Sequence, residues 1–247
     1  MTARPHILVV DAGNSRIKWA LHDGTRFVRD GWSEIAGLQT LGDDWRGLPP
    51  PSAVAIASVA GDTVAQALSA LCAIWTLKPL WVSGAAEQCG VINRYADPAQ
   101  LGPDRWSALI GAHALQPGPC LVVCLGTATT IDALSGSGEF LGGVIVPGID
   151  LMHESLGAKA ARLDAERGSF AAFPRATRDA ITTGAIQSTC GAVERMRAQM
   201  LEAGAGEPEI VACGGSATML AQHLGRRVRV HDKLILEGVL RIAEMRA

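Results

Sequence analysis

Within eight positions, Asp11-Ala12-Gly13-Asn14-Ser15-Arg16-Ile17-Lys18 gathers a carboxylate, a glycine, an amide, a hydroxyl and two cations. That mixture suits a phosphate, which is held by backbone N–H groups and hydroxyls where a glycine lets the chain approach closely. Lys18 can bring a cation to the phosphates, and Asp11 can hold a magnesium ion through water. A second stretch, Gly126-Thr127-Ala128-Thr129-Thr130, sets three hydroxyls beside a glycine, with Asp132 close behind. A third, Cys213-Gly214-Gly215-Ser216, offers a flat backbone surface for a base or a ribose. A helix start capped by Ser216 accounts for the third almost as well. Alone, the first stretch reads more readily as a hairpin turn, because Asx residues and glycine dominate turns. Its match to the second raises both above that reading.

The elements around these stretches repeat. Residues 7–10 form an apolar run into the first turn and 16–21 alternate as a returning strand; 121–123 and 129–134 do the same around the second. Two copies of strand, glycine turn and strand predict a duplicated α/β fold. Between them, 54–58 and 80–82 read as strands, and 63–71 and 105–115 as helices. Gln116-Pro117-Gly118-Pro119 then breaks the chain, which predicts domains at 1–116 and 117–247. The second half reads as a glycine-rich hairpin over 136–143, a strand ending at Val146, and a helix after Pro147. A long amphipathic helix follows over 177–201, then strands at 210–213 and 228–230 and helices from Ala217 and from Leu234.

Composition sets the outer bounds. A chain of 247 residues, 48% hydrophobic and 19% charged, can bury a sizeable core. The net charge is -2, and the basic residues are dispersed apart from Arg226, Arg227 and Arg229, so no nucleic-acid partner is expected. Apolar runs fall far below the ~18 residues that span a bilayer. The start of the chain is too short of apolar residues for a signal peptide. No membrane partner and a cytoplasmic location are the expectation. Cysteines at 72, 89, 120, 124, 190 and 213 form no CxxC pair and no zinc spacing, which favours reduced thiols over a metal cluster.

In order, the turn at Asp11, the loop at Gly126 and the turn at Gly214 resemble the phosphate-1, phosphate-2 and adenosine motifs of the actin, Hsp70 and sugar-kinase superfamily. Five stretches narrow the resemblance. They are Asp11 to Lys18, Gly102-Pro103-Asp104-Arg105-Trp106, Gly126 to Thr130, Gly142-Gly143-Val144-Ile145-Val146-Pro147-Gly148 and Ala176-Thr177-Arg178-Asp179-Ala180-Ile181. Together they look like the motif set of type III pantothenate kinases, over nearly the whole chain.

The resemblance implies two ribonuclease H-like (actin-like ATPase) domains with a nucleotide cleft between them. It implies ATP with Mg²⁺ as donor, pantothenate as acceptor and a homodimer. By the same resemblance, Asp11, Ala12, Gly13, Asn14, Ser15, Arg16, Ile17, Lys18, Gly126, Thr127, Gly214 and Gly215 bind ATP. Asp104 is the general base, Arg105 grips the pantothenate carboxylate, and Tyr95, Gly102 and Pro103 complete that site. Thr177 reaches the substrate across the dimer interface. The chemistry is sound: an aspartate of ordinary pKa, about 3.9, is ionised at pH 7, and a guanidinium pairs a carboxylate in two-pronged fashion. Read without the resemblance, Asp104 is equally a helix-start carboxylate, and Thr177 a helix cap.

One position departs from the pattern. Many relatives carry an aspartate two positions before the Gly-Thr pair, tied to a bound K⁺ or NH₄⁺; this chain has Cys124, and a neutral thiol is a poor ligand for a hard cation. Ser15 for the usual threonine keeps its hydroxyl. Two other readings stay open: an ATPase or polyphosphatase of the same superfamily, with Asp104 activating water, and a non-catalytic regulatory factor.

Overall fold

The structure is a computed structural model that describes residues 5–159 and 167–246. In chain order the elements are β1 (Ile7–Ala12), β2 (Arg16–His22), β3 (Phe27–Glu34), α1 (Leu38–Arg46), β4 (Ala53–Ser58), α2 (Asp62–Cys72), β5 (Leu80–Trp81), β6 (Glu87–Gln88), β7 (Val91–Asn93) and α3 (Pro103–Leu115). They continue with β8 (Cys120–Leu125), β9 (Ala128–Leu134), β10 (Glu139–Pro147), α4 (Ile149–Lys159), α5 (Thr177–Glu202), β11 (Glu209–Gly214), α6 (Ala217–His223), β12 (Val228–Val230) and α7 (Leu234–Glu244). No helix among the described residues is long and apolar enough to cross a membrane.

The described residues divide into two compact units, one of 5–116 with 233–246 and one of 117–232. In the first, the sheet order is β3-β2-β1-β4-β5. The hairpin strands β1, β2 and β3 are antiparallel, whereas β4 and β5 run parallel to β1. Alternation sends successive side chains to opposite faces. Leu8, Val10, Ile17, Trp19 and Ile56 therefore meet Leu41 and Trp45 of α1 and Leu68 of α2 in one core layer, while α3 and α7 pack against β4, and α7 against β1 as well. The short β6 and β7 form an antiparallel hairpin ahead of α3.

In the second unit β10-β9-β8-β11-β12 repeats the same order and the same directions. Leu121, Val123, Ile131 and Ile210 form its core with Val193 and Met200 of α5 and Leu220 of α6. The duplicated α/β architecture expected from the paired strand-turn-strand stretches is thus present strand for strand.

Three differences from the sequence reading have physical causes. The division into 1–116 and 117–247 grouped the closing helix with the second half, but α7 packs in the first unit. Its partner is α3, and glycines let the two backbones nearly touch: a Cβ on Gly238 would lie 1.8 Å from the Ser107 carbonyl oxygen, and one on Gly111 2.3 Å from that of Leu234. Such a contact leaves no trace in local periodicity. The hairpin read over 136–143 turns earlier, through Ser135–Gly138, where Gly138 takes φ 85°. Gly142 and Gly143 lie inside β10, beside an irregularity between Phe140 and Gly142. Finally, β3 and α1 were not anticipated, because β3 is largely exposed on both faces and α1 spans only 9 residues.

Candidate active site

In the first unit, β1 and β2 set Asp11 directly opposite Lys18. The Gly13 N–H donates to the Arg16 carbonyl at 3.0 Å and closes the turn, and the Ala12 carbonyl accepts from the Val59 N–H at 2.9 Å. Arg16 is the first residue of β2, and its guanidinium lies 4.9 Å over the ring of exposed Trp32. The Asp11 carboxyl is pushed up to about 7, foremost by burial, an effect that Lys18 opposes and Asp104 increases. Two carboxylates that repel across a small space with one lysine beside them form a place where a bound cation is stabilised.

Asp104 comes to that place from the first turn of α3. Pro103 opens the helix, as its fixed φ and missing N–H allow, and Trp106 N–H returns to the Gly102 carbonyl at 2.9 Å. A Cβ on Gly102 would lie 2.7 Å from Asp104 Oδ1, so the carboxylate occupies the space that a side chain there would need. Arg105, the next residue, is only 6% exposed. Its Nη1 donates to the Tyr95 hydroxyl at 3.1 Å, which ties together two residues ten apart in sequence.

The sequence reading missed the groups that hold this pair. Asn93, buried at the end of β7, accepts from the Tyr95 N–H at 3.0 Å and donates to the Pro98 carbonyl at 3.2 Å. Gln88 on β6 accepts from Trp106 Nε1 at 2.9 Å. Strands of two and three residues carry too little alternation to be seen in a sequence. Trp32 was missed for the related reason that its strand was not foreseen.

In the second unit, Gly126 N–H donates to the Ala128 carbonyl at 3.0 Å, and Thr127 accepts from Gly148 N–H at 2.9 Å. A Cβ on Gly148 would fall 2.2 Å from the Gly126 oxygen and 2.6 Å from that of Thr127, so the start of α4 lies directly against the loop. Behind the loop, Thr129 and Thr130 are buried with no partner for either hydroxyl among the described residues, and Asp132 is fully buried. Gly214 takes φ 100°, and a Cβ there would lie 2.1 Å from the Leu125 oxygen. The Gly126-Thr127 loop and the Gly214-Gly215 turn therefore follow β8 and β11 at the same end of the sheet. Ser216 occupies the N-cap of α6 but makes no side-chain cap bond. Thr177 is the exposed first residue of α5; Ala176 holds the cap position, so the helix-cap reading of Thr177 does not apply.

The profile of the type III pantothenate kinase family matches residues 7–199. The chain belongs to that family. A type III pantothenate kinase of Nitrosospira multiformis is 45% identical over 239 residues, covering 97% of this chain and 91% of that one. One of Nitrosomonas eutropha is 42% identical over 248 residues, covering 99% and 96%. Membership makes the chain a phosphotransferase. Among solved structures, a protein of Campylobacter jejuni described as a Baf family transcriptional activator aligns with TM-score 0.62 at 21% identity, over 97% of this chain and 98% of that one. The activator of 2-hydroxyisocaproyl-CoA dehydratase from Clostridium difficile, with bound ADPNP, aligns with TM-score 0.54 at 11% identity, over 98% and 96%. At those identities the likeness concerns the fold, which is the actin-like, ribonuclease H-like one expected from the repeated turns.

Proposed function

We propose that this chain transfers the γ-phosphoryl group of ATP to pantothenate, giving 4'-phosphopantothenate in the first step of coenzyme A biosynthesis. The observation that carries the reading is the convergence of Asp11, Lys18 and Asp104 beside the Arg105–Tyr95 pair in the first unit. Asp104 accepts the proton of the primary hydroxyl as its oxygen attacks the γ-phosphorus and the bond to ADP breaks. Arg105 and Tyr95, with Gly102 and Pro103, hold the pantothenate carboxylate and orient the alcohol; positioning and charge neutralisation supply most of the rate. Lys18 neutralises phosphate charge, and the turn from Asp11 to Lys18 supplies backbone donors. In the second unit the Gly126-Thr127 loop takes phosphate oxygens, and the Gly214-Gly215 turn lies under the adenosine.

The raised Asp11 carboxyl suits Mg²⁺, since a divalent cation relieves the repulsion with Asp104. Asp11 would hold the ion through water, and the ion would screen the phosphate charge. A monovalent cation fits less well, because Cys124 brings no charge and Asp132 is the carboxylate left on that hairpin. We further infer a cytoplasmic homodimer with Thr177 acting across the subunit boundary, and no nucleic-acid or membrane partner. Exposed Leu141, Val144, Ile145, Leu151 and Leu156 support a covered face on the second unit.

The test is ADP formation with and without pantothenate, in K⁺, NH₄⁺ and Na⁺ salts. ADP should appear only with pantothenate, at similar rates in the three salts. Full-rate ADP release without pantothenate would replace the kinase reading by an ATPase acting on water, and silence under all conditions would revive the regulatory one.

A further inference from the structure

The two strands that lead into the glycine turns of the second unit end on a pair of thiols. Cys124 of β8 and Cys213 of β11 are register partners on adjacent parallel strands, and their sulfurs lie 3.4 Å apart. Neighbouring strands run about 4.8 Å apart, inside the Cα span of about 4.4–6.8 Å that a disulfide bridges. The sulfurs need to approach by about 1.4 Å to reach the bond length of ~2.05 Å, a distance that side-chain rotation can supply. Cys213 is 3% exposed, whereas Cys124 is partly open to solvent. Burial pushes Cys72 up to about 11 and Cys120 to about 12, and also raises Cys89 and Cys190, which disfavours the thiolate at those four.

We propose that Cys124 and Cys213 are a modification site, closed to a reversible disulfide by a two-electron peroxide oxidant. The Cys124 thiol ionises and its thiolate attacks a peroxide oxygen; the O–O bond breaks, leaving a sulfenic acid and a hydroxide, which the proton released on ionisation converts into one water. The Cys213 sulfur then attacks that sulfur, the S–S bond forms, and hydroxide leaves and takes the Cys213 proton as a second water. Two thiols and one hydrogen peroxide thus give one disulfide and two waters. The consequence falls on the turns one residue further along. Gly214 already lies against the Leu125 carbonyl with no room for a methyl group, so drawing the strand ends together displaces both the Gly126 loop and the Gly214-Gly215 turn. That effect on turnover rests on the kinase reading; the bond itself does not.

Full-length protein is treated with a small excess of hydrogen peroxide, alkylated, and examined by intact mass and peptide mapping, with ADP formation followed in parallel. The expected product has lost two hydrogens, yields a peptide linking Cys124 to Cys213, turns over at least several-fold more slowly and recovers with dithiothreitol. In Cys213→Ala the linked peptide is absent and dimedone traps Cys124 as its sulfenic acid. Sulfinic or sulfonic acid at Cys124 beside an intact Cys213 thiol, or a bond between two molecules, overturns the proposal. A linked peptide without loss of turnover overturns the coupling to the turns. If reduced protein forms no ADP, the kinase reading fails while the mass still decides the bond.

Discussion

The two strand-turn-strand hairpins, β1–β2 and β8–β9, share a backbone and differ in chemistry. Each opens its sheet, each turns on a glycine whose N–H is bonded back across the turn, and each is flanked by a parallel strand, β4 or β11. Where the first sets Asp11 opposite Lys18, the second sets Cys124 opposite Thr130. The charged pair is tied electrostatically to Asp104; the uncharged pair lies beside buried hydroxyls and a close glycine contact. On the proposed reading, one duplicated device is divided into a half that manages charge and proton transfer and a half that works through backbone shape.

The largest test of that division is Asp104→Asn. If proton acceptance belongs to the charged half, kcat falls by ~10²-fold or more, while nucleotide binding followed by calorimetry stays near normal. Near-normal turnover would remove Asp104 as the base and with it the asymmetry.

A smaller effect is expected from Gly148→Ala, where the new methyl collides with two loop carbonyls. Overpacking of this kind costs about 1–3 kcal/mol, or about 2–4 °C in Tm per kcal/mol at this chain length, and KM for ATP should rise with little change in kcat. Gly13→Ala serves as the contrast in the charged hairpin. Its methyl would meet only the Arg16 oxygen at 3.4 Å, so a thermal scan should move far less. Equal losses in the two variants would mean that both turns depend on shape alike.

The third concerns Asp11→Asn without Mg²⁺ or nucleotide. With the folded pKa raised to about 7 from 3.8, the native state holds its proton more tightly than the unfolded chain. The associated stability is complete below pH 4 and is lost as pH rises toward 7. Asparagine removes that dependence, so the variant's stability relative to the unmodified protein should grow from pH 4 to pH 8 by about 1–2 kcal/mol after allowance for partial exposure, seen as a widening difference in Tm. A difference that does not change with pH would show that the charged hairpin stores no such penalty.

How much of this was legible in the sequence depended on where each element is buried. Strands β1, β2, β4, β8, β9 and β11 are apolar runs that end at glycine turns, and both periodicity and turn chemistry point to them. β3, with the sequence FVRDGWSE, is exposed along most of its length, so no alternation marks it, and Trp32 and its stack with Arg16 went unseen. The family resemblance put Arg105 and Tyr95 at one site, but the bond between them was not anticipated, since no local pattern joins two residues ten apart across a turn and a helix start. Asn93 and Gln88, which hold the pair in place, belong to strands too short to announce themselves. The membership of α7 was hidden because its decisive residues, Gly111 and Gly238, act by lacking a side chain.

That last helix also sets a timetable. The residues of the second unit are contiguous, so a growing chain can complete its sheet and helices while Leu234–Glu244 is still unmade. The first unit, begun earlier, waits longer: α3 has no surface to rest on at Ser107 and Gly111 until α7 emerges, although the entropic cost of closing so long an intervening segment grows only logarithmically with its length. Asp104, carried at the head of α3, is accordingly among the last groups to be locked in place during synthesis.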